Sequence, residues 1–66
     1  MNTPNRICIY PKDIMRITGK SERYGRILLE KIRRKNAKEE HQFVTVKEFC
    51  IYTGIDLTDV MAYLSA

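Results

Sequence analysis

The sequence has few of the residues and segments on which catalysis, metal binding and membrane insertion depend. Its 66 residues include three glycines, one histidine and two cysteines, and no apolar run approaches the roughly 18 residues that a membrane span needs. It carries no phosphate-binding glycine loop, no nucleophile beside a recognisable base, no paired carboxylates suited to a pocket and no zinc-ligand spacing. We therefore predict no enzymatic activity, no metal, no cofactor, no small-molecule substrate and no membrane insertion.

Cysteine usage and the first residues bear on the compartment. Cys8 and Cys50 each lie inside an apolar run, with no partner at metal-ligand spacing. We predict that both are reduced core residues, with a disulfide or a metal pair as the alternative. Residues 1–5 lack the charged and then apolar layout of a signal peptide. These features predict a cytoplasmic protein.

The chain is short but carries an internal repeat. A core of this size supplies only a few kcal/mol, so oligomerisation often supplies the remaining stability. Residues 9–29 resemble residues 44–64, which lie 35 positions later, in the order of their residue types. Four aligned pairs are identical, whereas about one identity is expected by chance. The identical pairs are Lys12 and Lys47, Thr18 and Thr53, Gly19 and Gly54, and Leu29 and Leu64. The pattern predicts a single domain, 1–66, made of repeat one at 7–35, a linker at 36–42 and repeat two at 43–66.

Each copy is predicted to form a strand, a helix, a turn and a second helix. Strand formers at 7–10 and 43–46 precede the helices, and Pro11 suits the first position of a helix. Gly19 and Gly54 supply the left-handed residue that commonly closes a helix. The other capping signals are Ser21, the Thr45 and Glu48 capping box, and Asp56.

These elements predict a mainly α fold of two tandem helix-turn-helix-like repeats with a minor two-stranded β-ribbon. The two strands could pair within one chain or between two subunits, and the sequence leaves both arrangements open. A two-stranded ribbon is marginal alone, so the helices are expected to cover one face of it.

Two segments carry a resemblance to known DNA-binding families. Residues 45–55 read TVKEFCIYTGI, and residues 10–21 read YPKDIMRITGKS. This outline resembles the opening of the DNA-binding domains of the MerR and excisionase families, in which a short strand or cap leads into a helix ending in Thr-Gly-hydrophobic. The resemblance implies DNA binding in transcription regulation or as an accessory protein of mobile elements. No two-stranded wing clearly follows either second helix, so wing contacts and small-molecule sensing are not implied.

The charge of the chain differs between its two halves. Residues 1–35 hold ten Lys or Arg against three Asp or Glu, a net charge of +7, and residues 36–66 hold two against five, a net charge of −3. A basic half favours nucleic-acid binding, because neutralised phosphates release counterions and dominate affinity. The overall pI of about 9.3 agrees with this interpretation.

The second helix of repeat one holds most of the candidate binding residues, and the others lie on the first helix and in the turn. Its apolar face is predicted from Tyr24, Ile27, Leu28 and Ile32, and Gly25 indicates a close approach to the first helix or to DNA. Arg23 and Arg26 are placed to contact bases in the major groove of double-stranded DNA. The phosphate-contact candidates are Arg16, Lys20, Ser21, Lys31, Arg33, Arg34 and Lys35.

Other interpretations of the same residues stay open. A basic helix face is often only a solvated surface, and Glu22 could pair with Arg26, or Glu30 with Arg33 or Arg34. In the rival function, the chain is a protein-interaction module that docks an acidic partner and has no nucleic-acid role. Repeat two is expected to serve packing or association, because Asp56 and Asp59 would repel phosphate.

If the chain binds DNA, a two-fold homodimer is expected on a palindromic site, with the apolar segment 60–64 as a contact.

Overall fold

The computed structural model describes residues 7–65, and this part of the chain is mainly helical. It contains four helices: α1 (Pro11–Thr18), α2 (Glu22–Lys35), α3 (Val46–Thr53) and α4 (Leu57–Ser65). The predicted mainly α class is confirmed. The interpretation of residues 1–5 lies outside the described residues.

The two shorter helices, α1 and α3, begin in the same way. The backbone amide of Tyr10 donates to Asp13 Oδ2 at 2.9 Å, and the amide of Thr45 donates to Glu48 Oε1, also at 2.9 Å. In α3 the Glu48 amide donates in return to the Thr45 hydroxyl at 3.1 Å, which completes the predicted capping box. Carboxylates in these first turns also suit the positive end of the helix dipole.

The same two helices also end alike. Gly19 and Gly54 adopt left-handed φ angles of 76° and 80°, and each amide donates to the carbonyl four residues earlier at 2.8 Å. The preceding threonines, Thr18 and Thr53, donate their hydroxyl groups to the carbonyls four residues before them at 2.7 and 2.8 Å. Hydrogen bonds of the first copy therefore reappear 35 positions later.

The segments before α1 and α3 meet in one antiparallel bridge, between Cys8 and Thr45. The amide of Ile9 donates to the Val44 carbonyl at 3.0 Å, and the amide of Val46 donates to the Ile7 carbonyl at 2.7 Å. The predicted β-ribbon is thus reduced, within residues 7–65, to an isolated bridge inside one chain. Pro11 and Thr45 start the helices so soon that neither segment is long enough for a ladder.

The core draws on all four helices and on both bridged segments. Its most deeply buried side chains are Ile9, Ile14, Ile32, Val44, Phe49 and Val60. Leu28, Leu29, Val46 and Cys50 complete the buried set. The two copies therefore share one hydrophobic core.

Both cysteines are free thiols, and they differ in burial. Cys50 is buried in the core, whereas Cys8 is half-buried. Burial of the thiol, followed by the nearby Asp56 carboxylate, raises the pKa of Cys50 above its usual value. Cys50 therefore behaves as a small apolar core residue.

Glu48 also ties the linker to repeat two. Lys38 Nζ lies 3.1 Å from Glu48 Oε2. Partial burial acts to raise the pKa of Glu48, but the hydrogen bond from the Thr45 amide and the interaction with Lys38 outweigh it. The pKa of Glu48 therefore lies below its ordinary value of 4.5.

We expect Glu48→Gln to lower the free energy of unfolding at neutral pH by about 0.5–1 kcal/mol, because glutamine keeps the cap but loses the charge. Since folding lowers the pKa of Glu48, its charge stabilises the fold above pH about 4.5, and this contribution disappears as the pH falls through the lowered pKa. Urea denaturation across this range should show the difference between wild type and variant shrinking at acid pH. The exposed Glu40→Gln is the control, and a difference that persists at low pH would contradict the assignment.

Candidate nucleic-acid interface

Helix α2 turns a stripe of Gly25, Leu28, Leu29 and Ile32 into the core. The predicted apolar face was therefore wrong at two positions. Tyr24 is 40 % exposed and Ile27 is 43 % exposed, and Gly25 and Leu29 take the buried places.

Helix α2 is turned about its axis relative to the prediction, and the cause is the contact between Gly25 and the start of α1. A Cβ atom at Gly25 would lie 2.7 Å from the Pro11 carbonyl oxygen and 3.1 Å from the Pro11 Cα. Only glycine allows the backbones to approach so closely. Of the two predicted alternatives for Gly25, the structure shows the close approach to the first helix.

The side of α2 opposite the buried stripe is called here the outer face, and all its members are exposed. At helical spacing it consists of Arg23, Arg26, Ile27, Glu30 and Arg34. Arg23, in the first turns of the helix, makes no ion pair with any residue between 7 and 65. The structure thus brings both predicted base-contact residues to one solvent-facing surface.

Arg26 makes the ion pair that the sequence left open. Its Nη1 lies 3.3 Å from Glu22 Oε2, and the two side chains are 60 % and 41 % exposed. Such exposed pairs contribute only a few tenths of a kcal/mol, so a phosphate or a base could displace Glu22. The other alternative, a pair of Glu30 with Arg33 or Arg34, does not form within the described residues.

The turn before α2 carries the next two candidates. Ser21 Oγ accepts a hydrogen bond from the Tyr24 amide at 3.1 Å, which confirms its predicted role as the cap. The Lys20 Nζ lies 5.4 Å from the centre of the Tyr24 ring, a cation–π distance. Lys20 and Ser21 are both exposed beside the positive end of the helix.

The remaining candidates are not all equivalent. Arg33 is half-buried, and its Nε donates to the Gln42 carbonyl at 2.9 Å, so this side chain holds the linker against α2. Lys31 and Lys35 lie on the flank of α2 that also carries Tyr24. Arg34 lies on the outer face, and Arg16 is exposed on α1.

An aromatic groove adjoins the outer face and was missed by the sequence interpretation. The rings of Tyr10 and Phe43 meet edge to face at 6.4 Å, and Phe43 is 61 % exposed. Together with Arg26 and Arg33 they line a groove of about 310 Å³. The strand pattern around Phe43 gave no indication of this neighbourhood.

Repeat two presents a different surface at the matching position. Asp56 Oδ1 accepts from the Thr58 amide at 3.1 Å, so Asp56 caps α4 as predicted, and Asp59 is exposed in the first turn. The prediction that segment 60–64 forms a dimer contact is wrong at Val60, because this side chain is buried in the core. Tyr63 of this segment is exposed.

No protein-family model, curated protein or solved structure matches this chain. Between residues 7 and 65, no group of three or more His, Cys, Asp or Glu side chains is arranged to hold a metal ion. None of the helices in the described residues is long and apolar enough to cross a membrane.

Proposed function

We propose that this chain is a small DNA-binding protein, acting as a transcription regulator or as an excisionase-like accessory factor. Its two helix pairs would be tandem helix-turn-helix-like repeats, with α2 of repeat one in the major groove. The observation that carries the proposal is the outer face of α2, where exposed arginines lie opposite a buried stripe. A helix held in this way can enter the groove with its packed side turned away from DNA.

Base contacts would come from the N-terminal half of α2. Arg23 and Arg26 are one helical turn apart, and a guanidinium group matches the O6 and N7 acceptors of guanine. Arg26 would exchange its exposed pair with Glu22 for such a contact. Glu22 would then remain near the first turn, where a carboxylate suits the helix dipole.

Phosphate contacts would surround these bases. Lys20, Ser21 and the amides at the start of α2 form one group, and Arg34 forms a second along the outer face. Arg16, Lys31 and Lys35 would contact flanking phosphates. Arg33 would contribute less, because its Nε is already bonded to the linker.

Repeat two would not contact DNA through its last helix. Asp56 and Asp59 place two carboxylates where repeat one has Ser21 and Tyr24, and like charges repel. Repeat two would instead complete the core and support association into a homodimer. Two copies would then contact two half-sites.

We expect Arg23→Ala and Arg34→Ala to weaken duplex binding in different ways. Arg23→Ala should cost about 1–3 kcal/mol at the preferred sequence and relax preference at one position, whereas Arg34→Ala should weaken all sequences alike. Loss of the Arg34 contact should also reduce by about one the slope of log affinity against log salt. Fluorescence anisotropy with labelled duplexes, over a range of salt concentrations, measures both effects.

The exposed Lys47→Ala on repeat two is the matched control, since it removes one positive charge away from α2. Equal losses in all three variants would mean that binding follows net charge and not the outer face.

The charge asymmetry between the halves also favours a rival function, docking of an acidic protein partner. Absence of measurable affinity for any duplex at low salt would support that rival.

A further inference from the structure

Ile27 is an apolar side chain in the middle of the charged outer face. It is 43 % exposed, with Arg23 one turn before it and Arg34 about two turns after it. Single exposed isoleucines are common on protein surfaces, so exposure alone assigns no role. The position of Ile27 indicates a role, because the same face carries Arg23 and Arg26, the two residues proposed to contact bases.

We propose that Ile27 contacts the C5-methyl group of a thymine in the major groove, and so sets part of the sequence preference. This inference rests on the proposed function. Thymine is the base that presents a methyl group in the major groove, and aliphatic side chains contact it favourably. Arginines and Glu30 around Ile27 can satisfy polar base edges, whereas Ile27 is the residue of this face whose side chain is wholly apolar.

The spacing on α2 places this thymine close to the base that Arg23 contacts. Side chains four residues apart on a helix have Cβ atoms about 5–6 Å apart, which corresponds to between one and two base-pair steps of about 3.4 Å. We therefore expect a thymine within two positions of a guanine in the preferred site. The thymine can lie on either strand.

The test removes the methyl group and leaves the protein unchanged. A preferred duplex is first selected from a random pool with the wild-type chain, and each thymine in it is then replaced in turn by deoxyuridine. At one position we expect about fourfold weaker binding, equivalent to the ~0.8 kcal/mol of one buried methyl-sized group. The Ile27→Ala variant should bind the thymine and uracil duplexes equally well.

Ile51→Ala is the matched control, because Ile51 is 82 % exposed on α3 and lies outside α2. This variant should keep the fourfold difference, and thermal melting checks that both variants fold. If no duplex is selected, both this inference and the proposed function fall. If a duplex is selected but no uracil weakens binding, or Ile27→Ala keeps the difference, the role of Ile27 falls and DNA binding stands.

Discussion

Phe49→Ala should lower the free energy of unfolding by about 3–5 kcal/mol, the usual cost of truncating a fully buried phenylalanine. Phe49 is 0 % exposed and lies in α3 among core residues from both copies. A domain of this length has a total stability of only about 3–10 kcal/mol. The variant should therefore lose about a third or more of the total stability of the domain. The chain has no tryptophan, so urea denaturation followed by far-UV circular dichroism is the suitable measurement.

Phe43→Ala is the control for this prediction, because it removes the same side chain from a position that is 61 % exposed. We expect a loss of less than about 1 kcal/mol, since little apolar surface leaves contact with the core. Similar losses in the two variants would show that the shared core is not centred on Phe49. A Phe49→Ala protein as stable as the wild type would have the same meaning.

Gly25→Val should also destabilise the fold, by about 3 kcal/mol or more, because its side chain would collide with the backbone of Pro11. Overpacking typically costs 1–3 kcal/mol, and more where the obstacle cannot move. Here the obstacle is the first turn of α1, and moving it would disturb the bridge beside it. The variant should lower the urea midpoint and loosen the packing of α1 on α2.

Gly25→Ala makes this test sharper because two effects oppose each other. Alanine in a helix interior gains about 1 kcal/mol over glycine, yet its Cβ would stand 2.7 Å from the Pro11 oxygen. We expect a net loss of about 1–2 kcal/mol. The control for Gly25→Val is Lys31→Val, at an exposed position of α2, which measures the cost of a β-branched residue in this helix without the collision with Pro11. A rise in stability for Gly25→Ala would show that the close contact is absent.

Local signals in the sequence predicted the helix ends well. Gly19, Gly54, Ser21, Thr45 and Asp56 act within a few residues of the chain, so their hydrogen bonds depend little on the rest of the fold. The four helices follow from these signals together with apolar spacing. The mainly α class was therefore predictable from residue types alone.

The orientation of α2 was harder to predict, because it depends on a residue with no side chain. Apolar spacing favoured Tyr24 and Ile27 for the core, whereas the contact of Gly25 with Pro11 rotates the helix toward its glycine. Treating Gly25 as an inward position would have assigned Leu29 to the core and Ile27 to the surface. The close approach predicted for Gly25 was the signal that could have done this.

Contacts between distant segments account for the other differences. The bond from Arg33 to the Gln42 carbonyl joins residues nine positions apart, and no local pattern indicates it. Val60 was assigned to a dimer contact because its neighbours are apolar, but the shared core takes it. In the part of the chain that the structure describes, the extended segments form one bridge and no ribbon, because each continues directly into a helix.

The hydrogen bonds that recur 35 positions apart have an evolutionary consequence. They lie at the ends of α1 and α3, some within the backbone and some between backbone and side chains. They involve none of the residues on the outer face of α2 or at the exposed start of α4. Substitutions on those surfaces can therefore accumulate without weakening the hydrogen bonds at the ends of α1 and α3. One helix pair can therefore carry a charge opposite in sign to that of the other while the hydrogen bonds at its helix ends persist.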